Sequence, residues 1–168
     1  SKLMKRILVL SDSHSGTSFM RWCVDNVRPD AIVHLGDYFD DGWLIHEEYP
    51  GIRFYQVPGN CDRYRTPPHV REVAIERILG VDFLLTHGHR HWVKSGTDQL
   101  VQAAREAGVQ AVLYGHTHIP DCRKDGDLWI LNPGPAGSWG GSAGLVKVEN
   151  CKILSCHNFR YGELEELL

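Results

Sequence analysis

Short apolar runs and helix-like segments trade places along the first third of this chain. RILVL (6–10) is nearly continuous in apolar residues, SFMRWCVDNV (18–27) spaces them as a helix does, and AIVHL (31–35) is apolar again. The stretch 43–49 has no clear period, and IRFYQV (52–57) closes the series. Apolar runs without a polar face belong to strands covered on both sides, and strands separated by helices pair in parallel through right-handed crossovers. This part therefore reads as βαβ(α)β. VREVAIERI (70–78) alternates apolar and polar positions, and after Gly80 follows VDFLLT (81–86), a hairpin pattern.

TDQLVQAAREA (97–107) carries Leu100, Val101, Ala104 and Ala107 at helical spacing, with Thr97 predicted as N-cap and Gly108 as C-terminal stop. VQAVLY (109–114), LWIL (128–131), GLVKV (144–148) and KILSC (152–156) are short strands separated by turn residues, in antiparallel or mixed pairing. GPAGSWGGSAG (134–144) is predicted as a Gly-rich surface loop. The expected architecture is an α/β sandwich of two packed sheets flanked by helices, one domain over 1–168. Ser1 to Leu3 precede a methionine and read as a remnant ahead of the native start.

Composition narrows the function. No apolar run approaches the roughly 18 residues that cross a bilayer, and the N-terminus lacks the apolar segment of a secretory signal. A net charge of −3 offers no basic field for a polyanion. A soluble cytoplasmic protein without membrane or nucleic-acid partners is expected; a homo-oligomer is compatible with it. Five cysteines without a CxxC pair fit reduced thiols rather than a disulfide framework or a thiolate zinc site. Ten histidines are many for 168 residues, and that excess asks for a cause.

The cause lies where the strands end. RILVL is followed by Ser11-Asp12-Ser13-His14, AIVHL by Gly36-Asp37, and IRFYQV by Pro58-Gly59-Asn60-Cys61-Asp62. VDFLLT leads into His87-Gly88-His89, and VQAVLY into Gly115-His116-Thr117-His118. Taken singly, Asp12 reads equally well as a helix N-cap and Asn60 as a turn residue. Taken together, five ends carry Asp, His or Asn at the position where ligands bind in open α/β sheets, beyond the carboxyl ends of parallel strands. Asp12, His14, Asp37, Asn60, His87, His116 and His118 form a mixed oxygen and nitrogen set without thiolate. It suits Mn²⁺ and, as alternatives, Ni, Fe, Zn or Co, and it is too large for one ion. With one bridging carboxylate it serves two, which can bind a phosphoryl group and activate water for ester hydrolysis.

The motifs DSH, GD, GNCD, HGH and GHTH, in this order, resemble those of the calcineurin-like metallophosphoesterase superfamily, in particular its small single-domain prokaryotic phosphodiesterases. The resemblance covers about residues 4 to 135 and extends to NPG (132–134). It implies a four-layer α/β/β/α sandwich and hydrolysis of a small phosphodiester or phosphate ester by a hydroxide bridging two divalent metals. One metal would take Asp12, His14, Asp37 and His118; the other would take Asp37, Asn60, His87 and His116, with Asp37 the bridge. His89 would contact a phosphate oxygen or water, and Asp62 would orient its neighbours. Two departures stand out. Cys61 occupies the position where many relatives have a leaving-group histidine, and is expected to pack under its loop. The loop after NPG has no basic residue before Lys147, so no substrate contact carries over from it.

Outside this set, His34 reads as a satisfied core histidine and His46, His69, His91 and His157 as surface residues. Arg63 and Tyr64 fit either the cleft or a solvated loop, and Trp139 either stacks on a base or sugar or covers the core edge. The competing function is a partner-binding scaffold, since the same fold includes a retromer subunit. A nuclease ranks low without a basic surface.

Overall fold

The apolar runs pack as two five-stranded mixed sheets face to face. The computed structural model describes residues 3–62 and 66–168. In chain order its elements are β1 (Lys5–Leu10), α1 (Ser18–Val27), β2 (Ala31–His34), α2 (Phe39–Glu48), β3 (Arg53–Gln56), β4 (Val73–Ile78) and β5 (Val81–Thr86). There follow α3 (Asp98–Ala107), β6 (Ala111–Leu113), β7 (Asp121–Asp125), β8 (Leu128–Asn132), β9 (Ser142–Glu149) and β10 (Lys152–Arg160). Short 3₁₀ turns lie at His89–His91, Val93–Ser95 and Glu165–Leu167.

One sheet runs β10-β9-β1-β2-β3, the other β4-β5-β6-β8-β7. The centre of each is parallel, with β1, β2 and β3 in one and β5, β6 and β8 in the other, while β9, β10, β4 and β7 are antiparallel additions. Ile7, Val9, Val33, Phe83, Leu113 and Leu131 meet between the sheets. Phe19, Met20 and Ile45 of α1 and α2 cover the far side of the first sheet, and Leu100 and Ala104 of α3 that of the second. The result is the four-layer α/β/β/α sandwich.

Several local expectations are corrected. The unpatterned stretch 43–49 lies in the regular helix α2, which buries only Phe39, Asp41, Gly42 and Ile45; a narrow buried face leaves little periodicity to read. β7 was not expected, because DCRKD lacks an apolar face, and it is an exposed edge strand registered on β8. β9 and β10 are longer than predicted, and the Gly-rich stretch is no simple surface loop: Ala136 and Ala143 are fully buried and Ser142 already belongs to β9. Thr97 stands at the N-cap of α3, but its side chain does not cap; it accepts from Arg123 Nη2 at 2.6 Å instead. Gly108 ends the helix at φ 69°, as predicted.

Candidate metal centre

Parallel strands point the same ends the same way, so the loops after β1, β2, β3, β5 and β6 meet on one rim. Asp12, His14, Asp37, His116 and His118 all sit at positive φ, between 42° and 72°. Non-glycine residues take this backbone at a cost, and clusters of them mark functional sites. Asp12 is no helix cap, since Thr17 precedes α1.

The side chains converge on two buried carboxylates. Asp12 Oδ1 lies 3.2 Å from His118 Nε2, 3.7 Å from His87 Nε2 and 4.0 Å from His14 Nε2. Asp37 Oδ2 lies 3.3 Å from His87 Nε2 and 3.8 Å from His14 Nε2. His116 Nδ1 faces His87 Nε2 at 3.2 Å. Asp12, His14 and His118 bring one ligand atom each within 4.8 Å of one another, and so do Asp12, Asp37 and His87. Asn60 is exposed and shares a cavity with His89 and His116, next to Cys61, whose N–H donates to Asp37 Oδ1 at 3.0 Å.

Each of the central groups is held from behind. Ser11 Oγ and the His116 N–H donate to Asp12 Oδ2 at 2.6 and 3.1 Å. His87 Nδ1 donates to Leu35 O at 2.7 Å, which leaves the Nε2 lone pair for the site. Asp62 accepts from the N–H groups of Asp37, Gly59 and Phe39 at 2.8–2.9 Å. Asn132, the first residue of NPG, donates to Gly115 O and Thr117 Oγ1 and so ties down the GHTH loop. Two glycines are steric necessities: a Cβ at Gly59 would overlap Asp37 Oδ1, and one at Gly115 would overlap Ser11 Oγ and crowd Asp12 Oδ2.

The donor set fits divalent cations. Among the described residues Asp12 Oδ1 is buried without a hydrogen-bond partner, a costly state for a carboxylate oxygen that a cation among the surrounding nitrogens would relieve. Burial alone would lift the Asp37 carboxyl, yet His87 and the Cys61 N–H hold it well below the ordinary carboxylate range. Burial alone would lower His87, but Asp37 and Asp12 draw it upward, so these carboxylates seek positive charge. His116 is pushed down to about 4, by burial first and then by His87 and Lys94, which leaves it a neutral imidazole, the form that ligates metal.

His89 lines the cavity with Asn60, and its Nε2 lies 3.6 Å from Glu72 Oε1. Cys61 corrects the expectation that it packs under its loop: the thiol is exposed, and burial of its surroundings together with Asp37 pushes it up to about 11. His34 is a satisfied core histidine, as expected. His69 and His157 are exposed, whereas His46 and His91 are half-buried rather than surface residues. Trp139 covers an edge of the core, packed on Phe19, Trp22 and Tyr161. Arg63 and Tyr64 lie outside the described residues. Two supports escape the sequence reading, Ser11 and Glu72, as does Arg160, brought from the end of β10 to a cavity it shares with His118. Only the Ser next to Asp12 carried a local signal.

The chain matches the model of the calcineurin-like phosphoesterase superfamily domain over residues 4–151. It is 27% identical over 134 residues to a probable metallophosphoesterase of Mycoplasma pneumoniae, covering 78% of this chain and 79% of that one. It is 22% identical over 173 residues to a phosphodiesterase of Methanocaldococcus jannaschii, covering 95% and 98%. Among solved structures, Vacuolar Protein Sorting 29 from Cryptosporidium parvum superposes with a TM-score of 0.73 at 16% identity over 94% of this chain and 99% of that one, a likeness of fold.

Proposed function

Because the chain belongs to the calcineurin-like phosphoesterase superfamily, we propose that it is a phosphodiesterase carried by one domain over 1–168 and dependent on two divalent ions, Mn²⁺ foremost. The observation that supports this most is the complete donor set: Asp12, His14, Asp37, Asn60, His87, His116 and His118 are all present, five of them carry ligand atoms close enough to share ions, His116 faces His87, and Asn60 shares a cavity with His116. Asp12, His14, Asp37 and His118 would hold one ion, and Asp37, Asn60, His87 and His116 the other, with Asp37 shared. Bound there, the ions would supply Lewis acidity toward the phosphoryl oxygens and acidify water to a nucleophile near neutral pH.

The chain's own groups complete the chemistry. Asp62 holds the backbone of Asp37 and Gly59 in place through its buried carboxylate. His89, whose Nε2 lies 3.6 Å from Glu72 Oε1, would contact a phosphate oxygen from the cavity wall. Cys61 keeps its proton at neutral pH and, as a weak S–H donor, leaves the departing alcohol to take its proton from water.

The Mn²⁺-loaded protein is expected to hydrolyse bis-p-nitrophenyl phosphate above free Mn²⁺. Asp37→Asn should lower kcat/KM at least about 100-fold, because it preserves shape and removes the anionic charge. No turnover above free metal would sink the proposal. Metal analysis tests the scaffold reading that the shared fold of the sorting protein invites: less than one ion per chain after growth in supplemented medium would favour it.

A further inference from the structure

We propose that Trp92 is a stacking platform for a nucleobase, so that the phosphodiester this site takes carries a nucleoside as its organic substituent. The inference rests on the phosphodiesterase reading and adds a substrate class to it.

Trp92 combines two unfavourable features in one residue. Its side chain is 68% exposed, and its backbone lies at φ 53° and ψ 38°, the left-handed region where a bulky residue is a true outlier. The fold imposes the turn. Trp92 joins two 3₁₀ turns, with the His91 N–H bonded to Gly88 O and the Ser95 N–H to Trp92 O, at 3.0 and 2.8 Å. The next side chain, Val93, is driven into the core at 4% exposure, packed where Gly88 has no Cβ, and this sends the indole outward. Glycine would satisfy this backbone without strain and without exposing an apolar ring. Among the described residues the indole stacks on no other ring. Nothing in the packing of the described residues accounts for a tryptophan here.

Its position does. Trp92 lines a cavity of about 530 Å³ with Asn60, Glu72, His89 and Arg90, and a neighbouring one of about 310 Å³ that reaches His116. The ring therefore stands at the mouth of the space between solvent and the metal-ligand set. The larger cavity has the size of a small-molecule site. Its walls are polar: Arg90 Nε donates to Glu72 Oε2 at 2.6 Å and Glu72 Oε1 lies 3.6 Å from His89 Nε2, so hydrogen-bond donors and acceptors stand side by side there. A flat face beside donors and acceptors suits a nucleobase, which offers a π-face and a hydrogen-bonding edge, better than a plain hydrocarbon ring.

The test compares AMP with ribose 5-phosphate, which differ only by the base, in calorimetric titrations of the full chain with Mn²⁺ present. AMP is expected to bind the natural sequence at least about tenfold more tightly, the scale of one base on one aromatic ring. Trp92→Gly, chosen because glycine accepts the backbone angle, should bring the two ligands within about twofold, and Trp92→Phe should keep most of the preference. Equal affinities in the natural sequence, no binding of either ligand, or a preference that survives Trp92→Gly would overturn the proposal. Hydrolysis of bis-p-nitrophenyl phosphate, assayed in parallel, separates the two readings. Turnover without base preference removes the nucleoside, and base preference without turnover removes the phosphodiesterase.

Discussion

His34 shows how much one buried side chain decides. The Gly36 N–H donates to its Nδ1 at 3.2 Å, so the proton must sit on Nε2, which faces Ser13 Oγ at 3.0 Å; that hydroxyl donates onward to Asp41 Oδ2 at 2.7 Å. The chain of bonds needs a neutral ring, and burial pushes the imidazole down to about 4 from its ordinary 6.5. The folded state thus takes up this proton less readily than the unfolded chain. The stability that follows is complete above about pH 6.5 and is lost as pH falls toward 4, on the order of 3 kcal/mol in all. Urea unfolding of the metal-free protein between pH 4.5 and 7 checks this. The stability difference between the natural sequence and His34→Gln should shrink steadily toward acid; a constant difference would contradict it. Cys61 makes the complementary point: its identity was plain in the sequence, but its exposure was not, because that depends on what the fold lays over the loop.

At the level of elements, the site depends on strand ends that approach closely without side chains in the way. Gly115 leaves β6 beside Ser11 and Asp12 from β1, although the two loops are more than a hundred residues apart. Gly115→Ala places a methyl group on the Ser11 hydroxyl and against the Asp12 carboxylate. It is expected to weaken Mn²⁺ binding by about 10- to 100-fold, the usual effect of disturbing the groups that orient metal ligands. Titration calorimetry would show this, and unchanged affinity would mean that the loop retreats without moving Asp12. Regular elements were legible where burial is one-sided or complete, as in α3 and β1. They were not legible in α2, whose buried stripe is narrow, or in β7, whose residues are mostly exposed and whose strand exists because β8 lends it hydrogen bonds.

For the molecule as a whole, the proposed metal ligands come from loops of both sheets, so ions bound there would brace one sheet against the other. Anything that binds only the folded state stabilises it by mass action. At a free Mn²⁺ concentration about 100 times Kd, the melting temperature should rise by about 5–10 °C over the chelated protein. Differential scanning calorimetry measures the rise, and Asp37→Asn should abolish most of it. Among the described residues no helix is long and apolar enough to cross a membrane. The sequence by itself determined the two-sheet α/β architecture and the inventory of ligand types at the strand ends, because strand burial and metal chemistry both impose residue types at short, readable spacings. Only the tertiary structure decided that Asp12 Oδ1 has no hydrogen-bond partner among three imidazoles, that Glu72 anchors His89, that Arg160 reaches the side of His118 and that Trp92 stands exposed at a cavity mouth. These depend on distances between residues far apart along the chain, which the packing of the two sheets sets and no local pattern records.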